Sequence, residues 1–209
     1  MLKKEELLAQ EVKSSNIRNF SIVAHIDHGK STLANYFLER LINKGKNSPE
    51  TVIFSKALCR FDLEAQKGVT FKLNYVRLPY YSFFLKDFFV FNLIDTPGHI
   101  DFKYEVILSL IVCEGVILLV DATKGVQAQT LFYYNIAKTL HLKVLPVINK
   151  TDLPYSQVQL VQKQLVNLLH CSAEDILLIS AKTGYNIDKL FEKIVSFFPS
   201  PTFRNDIQI

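Results

Sequence analysis

The segment from Ala24 onward reads A-H-I-D-H-G-K-S-T and carries residue types suited to binding phosphate. Its spacing follows G-x-x-x-x-G-K-[ST], except that Ala24 stands at the first glycine position, where we expect a permissive φ to be required. Backbone N–H groups of such a loop surround phosphate oxygens, Lys30 adds a positive charge, and the Ser31 hydroxyl can ligate Mg²⁺. We therefore predict phosphate contacts from Ala24, His25, Ile26, Asp27, His28, Gly29, Lys30, Ser31 and Thr32.

A second motif, D-T-P-G-H, starts at Asp95 after the apolar run that ends at Ile94. Asp95 is suited to the outer coordination shell of Mg²⁺, and Gly98 lets a backbone N–H approach a γ-phosphate without a Cβ in the way. His99 then lies where an attacking water must be oriented, so we predict His99 as the catalytic residue. A lone histidine in a surface loop is the alternative interpretation. The predicted nucleotide contacts here are Asp95, Thr96, Pro97 and Gly98.

Two further motifs have the chemistry to bind a guanine base. An Asp at position 152, in N-K-T-D, can accept two hydrogen bonds from guanine, which adenine does not offer in that arrangement. Asn149 is expected to brace the loop, and the stem of Lys150 to cover the face of the ring. The later tripeptide Ser180, Ala181 and Lys182 is predicted to close the other edge of the base. Either motif alone would also fit a polar turn.

Thr70 ends a long polar stretch and is the remaining candidate ligand. Its hydroxyl can bind Mg²⁺ while its backbone N–H reaches the γ-phosphate, so hydrolysis would release the loop. We predict Thr70 and Gly98 as switch residues, and Ser31, Thr70 and Asp95 as the residues that hold Mg²⁺. The five motifs together, in this order, predict a site for GTP and GDP.

Strands and helices alternate around these motifs and must position them. The pattern predicts an α/β, P-loop GTPase fold: a mostly parallel sheet with one antiparallel hairpin strand and helices on both faces. The expected strands are 19–23, 69–81, 88–94, 115–120, 143–148 and 176–179, with residues 69–81 and 88–94 as the hairpin. The expected helices are 30–43, 127–140, 157–169 and 186–197.

The 209 residues suit one domain, with a short lead-in at 1–15, a GTPase domain at 16–199 and the start of a truncated linker at 200–209. The net charge of +4 is compatible with an RNA-rich partner. No apolar run has the length of a membrane span, and the lead-in lacks the features of a secretory signal. Cys59, Cys113 and Cys171 are scattered, which indicates reduced thiols in a cytosol-like compartment, with Cys113 in the core.

The amino-acid sequences of these motifs resemble those of the LepA (elongation factor 4) family of ribosome-associated translational GTPases. The resemblance covers residues 16 to 201. It rests on the run N-I-R-N-F-S-I-V-A-H-I-D-H-G-K-S-T-L, on D-L-E at 62–64, and on C-E-G at 113–115. It rests also on D-T-P-G-H with Asp101 and Phe102, on G-V-Q-A-Q-T at 125–130, on 149–154, and on S-A-K-T-G at 180–184.

The resemblance implies a GTPase that is slow unless the ribosome, its rRNA and ribosomal proteins, stimulates it. It makes His99 the residue that positions water, and Ile26 and Val69 a hydrophobic gate that holds His99 back. Val69 replaces the usual Ile, and the run Glu64-Ala65-Gln66-Lys67 has lost charge, which predicts a looser switch loop. The family's further domains, a β-barrel and a basic C-terminal domain among them, have no counterpart in these 209 residues.

Two alternatives stay open at this point. One is a truncated nucleotide-binding module without ribosome-dependent activity; the other is the G domain of another translational GTPase, BipA-like or elongation-factor-G-like. Ser31 and the sequence of residues 125–130 favour LepA over the G domain of another translational GTPase. We further expect a monomer in the cytoplasm or an organelle matrix, with peripheral membrane association left open.

Overall fold

The computed structural model describes residues 13–43, 75–96 and 103–201. A short 3₁₀ turn, Ser14–Asn16, leads into the first strand. The strands are β1 (Ile17–Ala24), β2 (Tyr75–Ser82), β3 (Asp87–Ile94), β4 (Gly115–Asp121), β5 (Lys143–Asn149) and β6 (Leu177–Leu178). The helices are α1 (Lys30–Asn43), α2 (Lys103–Ile111), α3 (Ala128–Thr139), α4 (Val158–Leu169) and α5 (Ile187–Phe197).

The strands of the described residues form one sheet in the order β2-β3-β1-β4-β5-β6. Only β2 and β3 pair antiparallel; Ile17 lies opposite Val90 and Phe20 opposite Gly115 in parallel pairings. The carboxyl ends of β1, β3, β4 and β5 therefore meet at one edge of the sheet, where ligands of such folds bind. The motifs at these strand ends are thus brought to a common edge.

Alternating side chains of β1 build two cores, one on each face of the sheet. Phe20 and Ile22 face α1 and α5 and pack with Phe37 and Phe191. Val23 belongs to the opposite core, which α2, α3 and α4 cover with residues such as Val106, Leu110, Tyr133, Ala137, Val161 and Leu165. Strand β4 is buried along its whole length, as expected for a strand covered on both faces. The predicted fold class is confirmed.

Several predicted boundaries match the structure, and a few differ. The predicted helix 30–43 and the hairpin are both found, but the described part of the first hairpin strand begins only at Tyr75, and residues 69–74 lie outside the described residues. Helix α2 was not predicted. Cys113 is buried in the core, as expected. Within the described ranges, no helix has the length and apolar character needed to cross a membrane.

Candidate nucleotide-binding site

The predicted phosphate-binding loop connects β1 to α1 and takes its shape from two residues with positive φ. These are Asp27 (φ 65°) and Gly29 (φ 96°). Ala24 is the buried last residue of β1 and is not among the positive-φ residues, so the expectation of a permissive φ at this position was wrong. The sharp part of the turn lies further along, and an alanine at position 24 is therefore compatible with the strand.

Gly29 is also needed for a close approach between two motifs. A Cβ on Gly29 would clash with Nδ2 of Asn149, because it would lie closer than the Cβ of any residue approaches a non-bonded atom. The Asn149 side chain donates from Nδ2 to the carbonyl of His28 at 3.0 Å and accepts the backbone N–H of Ala181 at 2.9 Å. Asn149 therefore ties the first motif to the last one, which confirms that it braces the loop.

Lys150 makes a second link between the N-K-T-D loop, residues 149–152, and the predicted phosphate-binding loop. Its Nζ donates to the carbonyl of Asp27 at 2.7 Å, and Lys150 has a positive φ of 61°. Thr151, the next residue, is held by Ile179, whose carbonyl accepts the N–H and the hydroxyl of Thr151 at 3.3 and 3.0 Å. Asp152 is exposed, and its carboxylate has no hydrogen-bond partner among the described residues.

At the end of β3, Lys30 contacts the start of the D-T-P-G-H motif. Its ammonium lies 3.0 Å from Oδ1 of Asp95 and donates to the carbonyl of Thr96 and, at 3.0 Å, to its Oγ1. The Thr96 hydroxyl in turn donates to the carbonyl of Ile22 in β1 at 3.1 Å. The charge of Lys30 is thereby held between two of the predicted nucleotide-binding motifs.

The last motif, Ser180 to Lys182, follows β6, and its closing of the base edge stays a prediction. Ser180 is fully buried, and its Oγ accepts the N–H of Thr183 at 3.2 Å. Ala181 is also buried, whereas Lys182 is exposed. The backbone N–H of Ala181 donates to Oδ1 of Asn149 and thereby supports the first residue of the N-K-T-D loop.

Asp121, the last residue of β4, is a member of this site that the sequence analysis missed. It is fully buried, forms an ion pair with Lys150 at 2.7 Å and accepts the N–H and hydroxyl of Thr123 at 2.7 and 2.8 Å. Burial alone would raise the pKa of Asp121, but the bonds from Lys150 and Thr123 outweigh this and hold the pKa below its usual value. Its position at a strand end was the available signal.

His28 is buried in the loop and stays neutral. Its Nδ1 accepts the backbone N–H of Asp121 at 3.2 Å, and its ring lies 5.2 Å from that of His25. Burial lowers the pKa of His28 to about 4. The charge of Asp121 opposes this shift, and the charge of His25 reinforces it. Since Nδ1 is an acceptor, the proton of this imidazole is on Nε2, which has no partner among the described residues.

Gln129 is a second residue that the sequence analysis did not assign individually. It lies in the first turn of α3, is buried, and accepts the backbone N–H of Ile26 with its Oε1 at 2.9 Å. The loop before α3 is held in turn by Gln164, whose Oε1 accepts the N–H of Val126 at 2.9 Å. The phosphate-binding loop is therefore anchored from the α3 side as well as from β5.

The remaining predicted residues divide into exposed ones and ones outside the described residues. Ile26, Ser31 and Thr32 are exposed at the mouth of the loop. Val69, Thr70, Pro97, Gly98 and His99 lie outside the described residues, so the switch, the gate partner and the catalytic histidine stay predictions. The part of the chain that the structure describes contains no group of three His, Cys, Asp or Glu side chains that could hold a metal ion by itself.

Residues 15–200 match the family model described as the elongation factor Tu GTP binding domain. The chain belongs to this family. It is 47% identical over 197 residues to elongation factor 4 of Limosilactobacillus fermentum, covering 94% of this chain and 32% of that protein. It is 49% identical over 191 residues to elongation factor 4 of Clostridium kluyveri, covering 90% and 31%. The chain thus spans about a third of the length of these relatives.

Two solved structures share the fold of this GTP binding domain. The bacterial selenocysteine-specific elongation factor EF-Sec superposes with a TM-score of 0.62 at 24% identity, over 86% of this chain and 28% of that one. Elongation factor SelB from Methanococcus maripaludis, crystallised with the GTP analogue GppNHp, gives 0.58 at 23% identity, over 86% and 33%. The predicted LepA resemblance and the prediction of a GTP-binding domain of the elongation-factor type are confirmed.

Proposed function

We propose that this chain binds GTP and GDP with Mg²⁺ and hydrolyses GTP as the G domain of a factor that acts on the ribosome. The observation that carries the proposal is the direct bonding between motifs that are far apart in the sequence. Asn149 and Lys150 bond to the backbone of residues 27–28, Asn149 bonds to Ala181, and Lys30 bonds to Asp95 and Thr96. Residues predicted separately to contact phosphate and base thus form one connected surface.

The phosphates are proposed to lie over the turn between β1 and α1. Two of its N–H groups are already bonded, that of Ile26 to Gln129 and that of His28 to the carbonyl of His25. The N–H groups of Asp27, Gly29, Lys30, Ser31 and Thr32 have no acceptor among the described residues. Unpaired N–H groups at the start of a helix, together with a lysine, attract anionic oxygens.

The donor set near Lys30 fits Mg²⁺, which prefers oxygen ligands and keeps several waters. The Ser31 hydroxyl is exposed in the first turn of α1, and the Asp95 carboxylate is held beside Lys30 at the end of β3. We propose that Ser31 and Thr70 ligate the ion and that Asp95 orients its waters. When bound, the ion would neutralise charge on the β- and γ-phosphates.

The base is proposed to be read by Asp152. Its carboxylate is exposed and unpaired within the described residues, and the two residues before it are anchored, Lys150 to the carbonyl of Asp27 and Thr151 to that of Ile179. A fixed loop with an unpaired acceptor favours guanine, because two hydrogen bonds then form at little cost in ordering. The Asp152→Asn variant is expected to prefer xanthine nucleotides, since an amide can donate to the C2 oxygen.

Titration calorimetry with Mg²⁺ and GDP, ADP or XDP tests the nucleotide assignment. The unmodified chain should bind GDP and not ADP, and Asp152→Asn should bind XDP more tightly than GDP. If the variant still prefers GDP, Asp152 does not read the base. If the unmodified chain binds no guanine nucleotide, the proposed function itself is wrong.

Hydrolysis is proposed to proceed by in-line attack of a water oriented by His99, with Lys30 and loop N–H groups stabilising the charge on the phosphates. His99→Ala is expected to keep nucleotide affinity and to lose single-turnover hydrolysis.

Co-sedimentation with ribosomes, with and without a non-hydrolysable GTP analogue, separates a ribosome-dependent factor from a nucleotide-binding module. We further propose that the chain is monomeric and acts in the cytoplasm or an organelle matrix.

A further inference from the structure

The carboxylate of Asp121 at the end of β4 has two oxygens with different tasks. Oδ1 accepts the backbone N–H and the hydroxyl of Thr123, at 2.7 and 2.8 Å, and so shapes the turn that follows the strand. Oδ2 lies 2.7 Å from the ammonium of Lys150 and has no other partner among the described residues. The turn needs only a neutral acceptor, which asparagine would also supply, so the negative charge serves Lys150 alone.

Burial makes this charge costly, and a second nearby cation does not offset it. The Asp121 side chain is fully buried, where an unpaired carboxylate is strongly disfavoured. Lys124, three residues later, lies instead 3.7 Å from the carboxylate of Asp27. Within the described part of the chain, Lys150 is therefore the counter-ion of Asp121, and its ammonium is drawn to the end of β4.

The side chain of Lys150 is fixed at both ends. Its backbone has a positive φ of 61°, and its ammonium is held by the carboxylate of Asp121 and the carbonyl of Asp27, at 2.7 Å each. Between these ends, Cε lies 3.9 Å from the point that a Cβ on Gly29 would occupy, so the stem runs beside the predicted phosphate-binding loop. The side chain is 31% exposed, which leaves part of the apolar stem open to a ligand.

We propose that Asp121 is a positioning residue that holds the Lys150 stem in place as the surface on which one face of the guanine ring rests. The assignment rests on the proposed function, because it concerns the same guanine nucleotide. Asp152 would read the edge of the base, whereas Asp121 acts on the face without touching the ligand. A free lysine samples many rotamers, which a ligand packing on the stem must restrict, so the ion pair removes an ordering cost before binding.

Titration calorimetry with GDP and IDP on the Asp121→Asn variant tests the assignment. Asparagine keeps an acceptor for Thr123 but offers no charge to Lys150, whose ammonium can turn toward water, so the variant should fold. The Kd for GDP should rise roughly 3- to 10-fold, the size expected when one long side chain loses its fixed position.

IDP lacks the exocyclic amine that Asp152 is proposed to bind, so it reports on the edge of the base. The ratio of the Kd for IDP to the Kd for GDP should be the same in Asp121→Asn as in the unmodified chain, because Asp121 acts on the face. An unchanged Kd for GDP would overturn the proposal. A loss of selectivity for GDP over IDP would also overturn it, since the substitution would then distort the N-K-T-D loop.

Thr123→Val is the matched control, since it removes a bond to Oδ1 but leaves the pair of Oδ2 with Lys150. It should bind GDP as the unmodified chain does. A rise in Kd equal to that of Asp121→Asn would mean that Asp121 serves the turn and not the lysine.

A double substitution tests whether Asp121 acts through Lys150. Lys150→Met keeps an unbranched stem and removes the charge. Adding Asp121→Asn to Lys150→Met should cause no further loss of GDP affinity, because the lysine through which Asp121 acts is already gone. Additive losses would contradict the proposal.

Acetylation by N-acetoxysuccinimide, without nucleotide, measures the ion pair by itself. In the unmodified chain Lys150 should react more slowly than the exposed Lys138 of α3, and Asp121→Asn should remove this protection without changing Lys138. Equal reactivity of the two lysines in the unmodified chain would overturn the proposal even if the variant failed to fold. Protection of Lys150 in a chain that binds no guanine nucleotide would refute the proposed function, and with it the role of Asp121 toward a base, but not the ion pair.

Discussion

At the scale of single residues, the predicted phosphate-binding loop is held in place by side chains from outside the loop. Gln129 takes the N–H of Ile26 out of the set available to phosphate and fixes the start of the loop. Asp121 holds Lys150, which holds the carbonyl of Asp27. These contacts set the loop conformation before a ligand arrives, and such preorganisation contributes to affinity.

Replacing Gln129 by Ala should therefore weaken nucleotide binding. The N–H of Ile26 would lose its acceptor, and loss of one such bond costs about 1 kcal/mol, which corresponds to a roughly 5-fold increase in the Kd for GDP. Fluorescence titration with a labelled GDP measures the change. Gln164→Ala is the matched control, because it removes the same type of bond from Val126, one loop further from the phosphates. Equal effects of the two substitutions on affinity would contradict a specific role for Gln129.

His28 predicts a dependence of stability on pH. Its pKa falls from 6.5 to about 4 in the folded chain, so between these values the unfolded state binds more protons than the folded state. The free energy of unfolding should therefore be unaffected above pH 6.5 and fall by up to about 1.4 kcal/mol per pH unit toward pH 4. Urea unfolding at a series of pH values measures this contribution.

The His28→Asn variant is the comparison for that series. Asn places an oxygen near the position of Nδ1 and can still accept the N–H of Asp121, but it does not titrate. The variant should show a flatter dependence on pH between 6.5 and 4 than the unmodified chain. An identical slope in the two proteins would assign the pH dependence to other groups.

At the scale of elements, helix α5 and the β2–β3 hairpin are joined by one carboxylate. Glu192 accepts the Tyr80 hydroxyl at 2.8 Å, the Ser82 hydroxyl at 2.6 Å and the N–H of Phe83 at 3.0 Å. Tyr80 and Ser82 are buried, so they have little access to water as a replacement. Burial, and after it the hydrogen bond to Glu192, raises the pKa of the Tyr80 hydroxyl.

Glu192→Ala should destabilise the fold by about 2–3 kcal/mol, since it leaves buried hydroxyl groups without their charged partner. Urea unfolding gives the free energy. Glu39→Ala, on the exposed face of α1, is the control and should change stability by no more than about 0.5 kcal/mol. A loss for Glu192→Ala as small as for the control would show that water replaces the carboxylate.

The sequence predicted those elements whose local pattern was unambiguous. Helix α1 follows directly from Gly29 and Lys30, and its apolar residues Leu33 and Phe37 lie four apart on the buried face. Helix α2 was missed because its run V-I-L-S-L-I is almost uniformly apolar, so neither a helical nor a strand period stands out. Strand β6 has only two residues, and its length is set by its pairing with β5.

The reliance on local sequence patterns also explains which candidate site residues the sequence predicted. Lys30, Asp95, Asn149 and Lys150 belong to motifs whose spacing along the chain carries the information. The bond from Ile26 to Gln129 joins residues 103 positions apart, and that from Asp121 to His28 joins residues 93 apart. Such contacts arise from the order of the strands in the sheet, which local spacing does not encode, so Gln129 emerged only from the structure. Asp121 had one signal in the sequence, its position at the end of β4.

At the scale of the whole molecule, the predicted nucleotide-binding loops follow β1, β5 and β6 and are bonded to one another. The bonds of Asn149 alone connect β5 to the loop after β1 and to the residues after β6. A ligand that contacts these loops together must stabilise the folded chain as a unit, because it has no corresponding site in the unfolded chain.

GDP with Mg²⁺ at 100 times its Kd should add about 2.7 kcal/mol to the free energy of unfolding, and raise the Tm by roughly 5–10 °C. Differential scanning calorimetry with GDP, ADP and EDTA measures the shift. ADP should leave the Tm unchanged, and EDTA should reduce the GDP effect because the phosphates would then lack the ion that we propose Ser31 to ligate. Asp152→Asn should lose the shift with GDP and regain it with XDP. A rise that GDP and ADP produce equally would mean that the ligand is held by its phosphates alone, and that the loop carrying Asp152 takes no part.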